Sequence, residues 1–285
     1  MAVSPDTRAT FWYGCNMARH GEIIRLSTQI LEAVGVDAAP AGGPGYCCGS
    51  PQEKTARIAA GMAERTVQKF NAAVGDAGRD QVITWCPSCH MNMDDFMAPV
   101  TEAAFETQHI TELLHARRER LRPFLTQPVP ARVFLHTHHG FNGRVPVNHD
   151  VPALLSMIPG LTVLDHPLRV PGHMCSALAN VPNGLATAHR ETLAAMADIG
   201  ADTLVTVFHS CHREAVALER GRDIRVVNWI HLLAQSIGLA HEDEYKSWRN
   251  AEDPRAALGE DRVAALGDVT FERLVEPELH KTPIV

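Results

Sequence analysis

The pattern that most limits how this chain can fold is a short apolar run that stops at a reactive side chain, with a helix before the next such run. Ala9 to Cys15 (ATFWYGC) reads as a buried strand with a functional loop at its carboxyl end. Ile23, Leu26, Ile30, Leu31 and Val34 then recur at helical spacing, and Gly35 marks the stop. Val36 to Ala39 is a weak strand leading into a Gly- and Pro-rich loop, Ala41 to Pro51, that carries Cys47 and Cys48. A long helix follows, with Ile58, Met62, Val67, Phe70 and Val74 on its apolar side and Gly75 near its end. Gln81 to Trp85 is a strand running straight into Cys86, and Pro87 and Ser88 suit the start of a helix through Met97. Phe105 to His109 is a fourth strand, followed by a helix from Ile110 to Arg122. Strand alternating with helix predicts an α/β fold with a parallel sheet, whose ligands gather beyond the carboxyl ends of the strands. Every cysteine of this half falls on such an end or in the adjoining loop.

After Pro123 to Pro130, a proline-rich linker, the same order of elements returns. Strands are expected at Arg132 to His136, Leu161 to Leu164, Thr203 to Phe208 and Ile224 to Asn228. Helices are expected at Pro152 to Ile158, Leu185 to Ile199 and Ile230 to Ile237. The echo reaches single residues: Phe11 pairs with Phe134, Cys48 with Cys175 and Cys89 with Cys211, at offsets of 123, 127 and 122 residues. The chain therefore reads as a duplicated α/β unit. The expected organisation is a first domain at 1–122, the linker at 123–130, a second domain at 131–239 and a charged tail at 240–285. That tail, anchored by Trp248, Phe271 and Leu274, is read as wrapping the domain or docking a partner.

Charge narrows the function. A net charge of −7 and a pI near 6.1 lack the basic footprint of a nucleic-acid binder. The first eight residues show no basic segment followed by an apolar run, and no stretch approaches the roughly 20 apolar residues a membrane helix needs. A soluble cytoplasmic protein with no membrane span is expected, and in a reducing compartment clustered thiols bind metal or carry redox chemistry rather than form disulfides.

Five of the seven cysteines, Cys15, Cys47, Cys48, Cys86 and Cys89, fall in the first 89 residues. Thiolates are soft ligands that favour zinc, cuprous copper and iron–sulfur clusters. Adjacent cysteines diverge too far to chelate one ion together, but they can bind different irons of one cluster. Five thiolates also exceed the four of a structural zinc site or a cubane. Three blander readings remain beside this one. They are a thioredoxin-like dithiol at Cys86-Pro-Ser-Cys89, c-type haem attachment at Cys86 to His90, and structural zinc.

The order Cys15, 31 residues, Cys47-Cys48-Gly49, 37 residues, Cys86-x-x-Cys89 resembles the CCG motif of the B-type subunits of heterodisulfide reductases and their relatives. In that family each complete motif holds a noncubane 4Fe-4S cluster through its five cysteines. The resemblance therefore implies that Cys15, Cys47, Cys48, Cys86 and Cys89 ligate one such cluster. The glycines beside the pair would let backbone N–H groups approach cluster sulfurs.

The second half departs from the motif. The five thiol positions become His138, Met174, Cys175, Phe208 and Cys211, so a second five-thiolate cluster is excluded. His138, Cys175 and Cys211 offer a second metal site, for zinc or a smaller iron–sulfur centre; the alternative is a substrate pocket or plain protein. His139, His173, His209 and His212 lie in the same loops, and His138, Cys175, His209 and Cys211 are the candidate catalytic set, with imidazole as proton donor.

The resemblance further implies an iron–sulfur subunit working in one-electron transfer and disulfide or sulfur-transfer chemistry. The degenerate second motif is more similar to sulfur-oxidising heterodisulfide reductase-like systems than to the methanogen enzyme. Its partners would be flavoprotein A-type and iron–sulfur C-type subunits, with a lipoate-binding protein carrying sulfur. Two other readings stand beside it: a non-catalytic electron relay or zinc-stabilised scaffold, and the CCG subunit of a lactate or glycolate oxidase-type system.

Overall fold

The computed structural model describes residues 4–50, 55–140 and 144–280. Pro51, at the end of the expected cysteine-pair loop, Met1 to Val3 and the last five residues of the tail lie outside them.

Eight strands form two four-stranded sheets of the same design. The first holds β1 (Thr7–Gly14), β2 (Val36–Gly42), β3 (Gln81–Thr84) and β4 (Glu106–His109) in the order β2-β1-β3-β4. The second holds β5 (Ala131–His136), β6 (Leu161–Leu164), β7 (Thr203–Thr206) and β8 (Arg225–Asn228) in the order β6-β5-β7-β8. The strands run parallel, so the α/β class and the duplication expected from the sequence are what the chain adopts. A strand in the middle of a parallel sheet is buried on both faces, and all four residues of β7 are buried, its threonines included. In each sheet the first strand has a neighbour on either side reached by connections of opposite sense. The carboxyl end of that strand is where a crevice opens.

The chain forms two compact units. One comprises Met1–Pro130, Gly140–Leu161 and Ile230–Ala240; the other comprises Ala131–His139, Thr162–Trp229 and His241–Val285. In the first, Trp12, Val67, Phe70, Val82, Met93 and Met97 pack together under the cysteine loops. In the second, Phe134, Met196, Leu204, Val216 and Val226 form the core. The tail belongs to this second unit: Tyr245 and Leu279 are part of its core, and Lys246 Nζ donates to Val226 O at 2.9 Å. Among the described residues no helix is long and apolar enough to cross a membrane.

Four local expectations change. Leu274, expected as an anchor of the tail, is 70% exposed, whereas Phe271 is buried. Helix Ala56–Ala77 buries Ala59, Ala63, Thr66, Val67 and Phe70, while Ile58 is 50% exposed because it sits one position off that stripe. Its left-handed terminator is Gly78 rather than Gly75. The helix expected from Ile110 to Arg122 breaks at Arg117, giving Ile110–Ala116 and Arg118–Leu121. There the Arg117 guanidinium donates to Asp6 Oδ1, Thr7 Oγ1 and Val34 O, contacts between distant segments that helical periodicity does not encode.

Candidate functional site

The first site is assembled at the carboxyl edge of the first sheet. Cys15 follows β1, Cys47 and Cys48 lie beyond β2, and Cys86 and Cys89 follow β3. All five are free thiols; Cys47, Cys48 and Cys89 are buried, whereas Cys15 and Cys86 are half-buried. Gly14 ends β1 at φ +81°, and a side-chain carbon there would lie 3.4 Å from Cys86 Cβ and 3.5 Å from Cys89 Sγ. The bare backbone of β1 thus rests against the Cys86–Cys89 turn.

The paired cysteines are held from several sides. Trp12 Nε1 donates to Tyr46 O at 3.0 Å, Thr66 Oγ1 to Cys47 O at 2.9 Å, and Asn92 Nδ2 to Cys48 O at 2.7 Å. Lys69 Nζ donates to Gly45 O at 2.6 Å and lies over the Tyr46 ring. The Gly49 N–H points at Cys47 Sγ at 3.5 Å. Gly49 itself sits at φ +86°, and an added Cβ would come 2.8 Å from Ala59 O in the long helix. Gly49→Ala is therefore expected to destabilise the protein by about 2 kcal/mol or more, with left-handed strain and a backbone clash acting together. A thermal-unfolding midpoint within error of wild type would contradict this.

The helix after β3 is fixed by a hydrogen bond that both halves share. Thr84 Oγ1 meets His90 Nδ1 at 2.9 Å, and Thr206 Oγ1 meets His212 Nδ1 at 3.2 Å. Each threonine ends a strand and each histidine follows a cysteine, so the bond clamps the Cys-bearing helix to the strand end. This is the physical reason for the Ser-Cys-His echo.

Contacts among the thiols divide them into two classes. Hydrogen bonds from Cys47 and then Cys89 hold the Cys48 pKa down at about 3, helped by the Ser50 N–H and by Asn92. Cys86 is lowered through Cys89 in the same way. Cys47 and Cys89 are pushed up as the donors of these bonds, and burial raises Cys15. The five sulfurs form a soft donor set, and loading with metal would release the protons they still carry. Among the described residues these five are not among the groups whose donor atoms all fall within 4.8 Å of one another. The half-buried Cys15 and Cys86 leave one side of the thiol set approachable.

The second half gathers a different set. His136, His138, Cys175 and Cys211 place their donor atoms all within 4.8 Å of one another. His136 Nε2 lies 3.1 Å from Cys175 Sγ; His138 Nε2 lies 3.6 Å from Cys175 Sγ and 3.3 Å from Cys211 Sγ. The Cys175 N–H points at Cys211 Sγ at 3.4 Å. A parallel bridge between His138 and Val170 extends the pairing past the end of β5 and fixes where His138 sits. Burial opposes charge on His138, yet the Cys211 charge and hydrogen bond raise its pKa. Cys211 is lowered well below its usual value by Cys175 and His138 despite burial, and Cys175 is raised by its bond to Cys211.

Of the residues expected here, His138, Cys175 and Cys211 come together. His209 is buried at the first turn of helix His209–Ala215, outside the cluster. His139 is exposed, and His173 also lies outside the cluster. His212 engages Thr206 and, through Nε2, Asp243 Oδ2 at 2.6 Å. Sequence reasoning missed His136, which it read as the end of a strand. Its spacing of two from His138 was the available signal, since alternate strand residues share a face.

A family model described as a cysteine-rich CCG domain matches residues 9–94, the segment that carries the five thiols. By fold, site and this match, residues 9–94 are similar to a CCG cysteine-rich domain. A curated relative, the D subunit of the dihydromethanophenazine:CoB–CoM heterodisulfide reductase of Methanosarcina acetivorans, is 23% identical over 254 residues, covering 84% of this chain. The match spans 61% of that relative's length. With the domain match, it makes this chain similar to the heterodisulfide reductase-like CCG proteins. Among solved structures, arylmalonate decarboxylase overlaps 82% of this chain and 94% of its own at 15% identity, with a TM-score of 0.25. A single-residue mutant of it in a sulfate-associated form gives 83%, 95%, 15% and 0.29. Likeness at that level says nothing about this chain's chemistry.

Proposed function

We propose that this chain is the iron–sulfur subunit of a heterodisulfide reductase-like complex. In this reading Cys15, Cys47, Cys48, Cys86 and Cys89 hold a noncubane 4Fe-4S cluster that serves disulfide or sulfur-transfer chemistry in cytoplasmic sulfur oxidation. The observation that carries it is the convergence of five soft donors at the carboxyl edge of one sheet, with Cys15 and Cys86 half-buried. The family match and the name of the Methanosarcina relative support the same reading. A bound iron–sulfur cluster supplies reversible one-electron chemistry that no side chain here can supply alone.

The chain's own residues do the rest. Thr66 and Asn92 hold the carbonyls of Cys47 and Cys48, so the pair cannot swing away from Cys89. The Gly49 N–H places a dipole on Cys47 Sγ, the kind of contact that sets the potential of a thiolate-bound metal. The half-buried Cys15 and Cys86 mark where a sulfur-bearing substrate can approach. Flavoprotein A-type and iron–sulfur C-type subunits, with a lipoate-binding protein as sulfur carrier, are the partners this reading assigns. The test is anaerobic reconstitution with iron and sulfide, followed by metal analysis and EPR. About four irons per chain and a paramagnetic signal on oxidation or reduction are expected. Colourless protein with zinc and no iron at the N-terminal thiols would overturn the proposal.

A further inference from the structure

We infer that His136, His138, Cys175 and Cys211 form a closed site for one tetrahedral zinc ion, a structural staple independent of the redox reading above. The four residues have relative exposures of 1%, 2%, 0% and 0%, so no coordination position opens to solvent. Structural zinc sites are closed in this sense, whereas catalytic ones keep a position free for water or substrate.

Distances fix the nuclearity. A tetrahedron with metal–sulfur bonds of about 2.3 Å and metal–nitrogen bonds of about 2.0 Å has sulfur–nitrogen edges of about 3.5 Å. The three recorded histidine–cysteine separations are 3.1, 3.3 and 3.6 Å. A two-iron cluster that divides its cysteines and histidines between its irons needs those pairs much farther apart, with bridging sulfides between them. Donor atoms all within 4.8 Å leave room for a single ion.

The surroundings match a ligand set. A metal-binding histidine fixes its ring by bonding through its other nitrogen, and both rings do so here. His136 Nδ1 meets Thr192 Oγ1 at 3.3 Å, and His138 Nδ1 meets Pro171 O at 3.2 Å, which leaves each Nε2 facing the two sulfurs. Zinc with two thiolates and two neutral imidazoles carries no net charge, which is what lets it sit buried without a counter-ion. The donors come from the end of β5 and the loop beyond it, the turn at Cys175 and the helix after β7. One ion would therefore tie together the three strand-end segments that, in the first half, meet at the five thiols.

The experiment uses the full chain. Protein from zinc-supplemented cells is expected to hold one zinc per chain, and zinc-edge absorption to report two sulfur and two nitrogen neighbours. Zinc is expected to stay when Cys48→Ser disables the first site, which separates this proposal from the cluster reading. In His136→Cys the metal is retained and the sulfur count rises by one, a change that a merely hydrogen-bonded histidine would not produce. Zinc below about a tenth of an equivalent, an all-sulfur environment, iron in place of zinc at this site, or an unchanged sulfur count in His136→Cys each overturns it.

Discussion

Cys48→Ser is expected to cut iron retention after reconstitution by roughly tenfold or more while leaving the fold intact. Cys48 receives hydrogen bonds from both Cys47 and Cys89, the largest causes of its low pKa, and it is the hub of the thiol set. A serine hydroxyl is a hard donor that stays protonated at neutral pH, so it replaces neither the charge nor the softness. The volume change is small and the Cys48 main chain keeps its bond from Asn92, so far-UV circular dichroism should be unaltered. Iron content and EPR signal equal to wild type would remove Cys48 from the ligand set. If the proposed complex is assembled with this variant, electron transfer should fall with the iron; unchanged electron transfer would remove any redox role from the first site.

The second large effect is a loss of stability in mild acid, centred on His109. This buried ring caps helix Ile110–Ala116 by accepting from the Thr111 N–H, and its other nitrogen lies 2.9 Å from Trp85 O. Burial, with His90 nearby, lowers its pKa from 6.5 to about 3. The sign follows from proton uptake: between those values the unfolded chain binds a proton that the folded chain refuses. The contribution is complete above pH 6.5 and is lost as pH falls toward 3, at about 1.4 kcal/mol per pH unit. Denaturant unfolding between pH 4 and 6 should show this slope. His109→Asn, which keeps a capping side chain, should flatten it by one proton. An identical slope in the variant would assign the acid sensitivity to other groups.

The alternation of short strand-like runs with helical spacing was enough to place every strand. β1 and β7, buried along most or all of their length, stand out most clearly, whereas β4 (Glu106–His109) is polar and is placed by its position before the helix that follows it. The five N-terminal thiols were legible for a related reason: each follows a strand end, so chain order alone brings them to one edge. The partner of Cys175 was harder to see. His136 is inside the last apolar-looking run of its strand, and its contact with Cys175 Sγ at 3.1 Å spans 39 residues that no local pattern connects. The break at Arg117 was hidden for the opposite reason. Helical periodicity continues through it, and the competing bonds come from Asp6, Thr7 and Val34, more than 80 positions away.

The chain passes from one compact unit to the other five times. Ile110–Ala116 packs against Val147–Leu155, and the peptide N–H groups of Thr126 and Gln127 both donate to Ser236 O, so the unit that carries the thiols is completed by segments translated long after them. A fragment ending at the proline-rich stretch would lack those covers and expose apolar helix faces. Ribosomal synthesis therefore delivers every strand of the cysteine-bearing sheet by residue 109 but leaves the unit around it uncovered until residue 240 has emerged, and a stable home for anything held by those thiols has to wait for nearly the whole polypeptide.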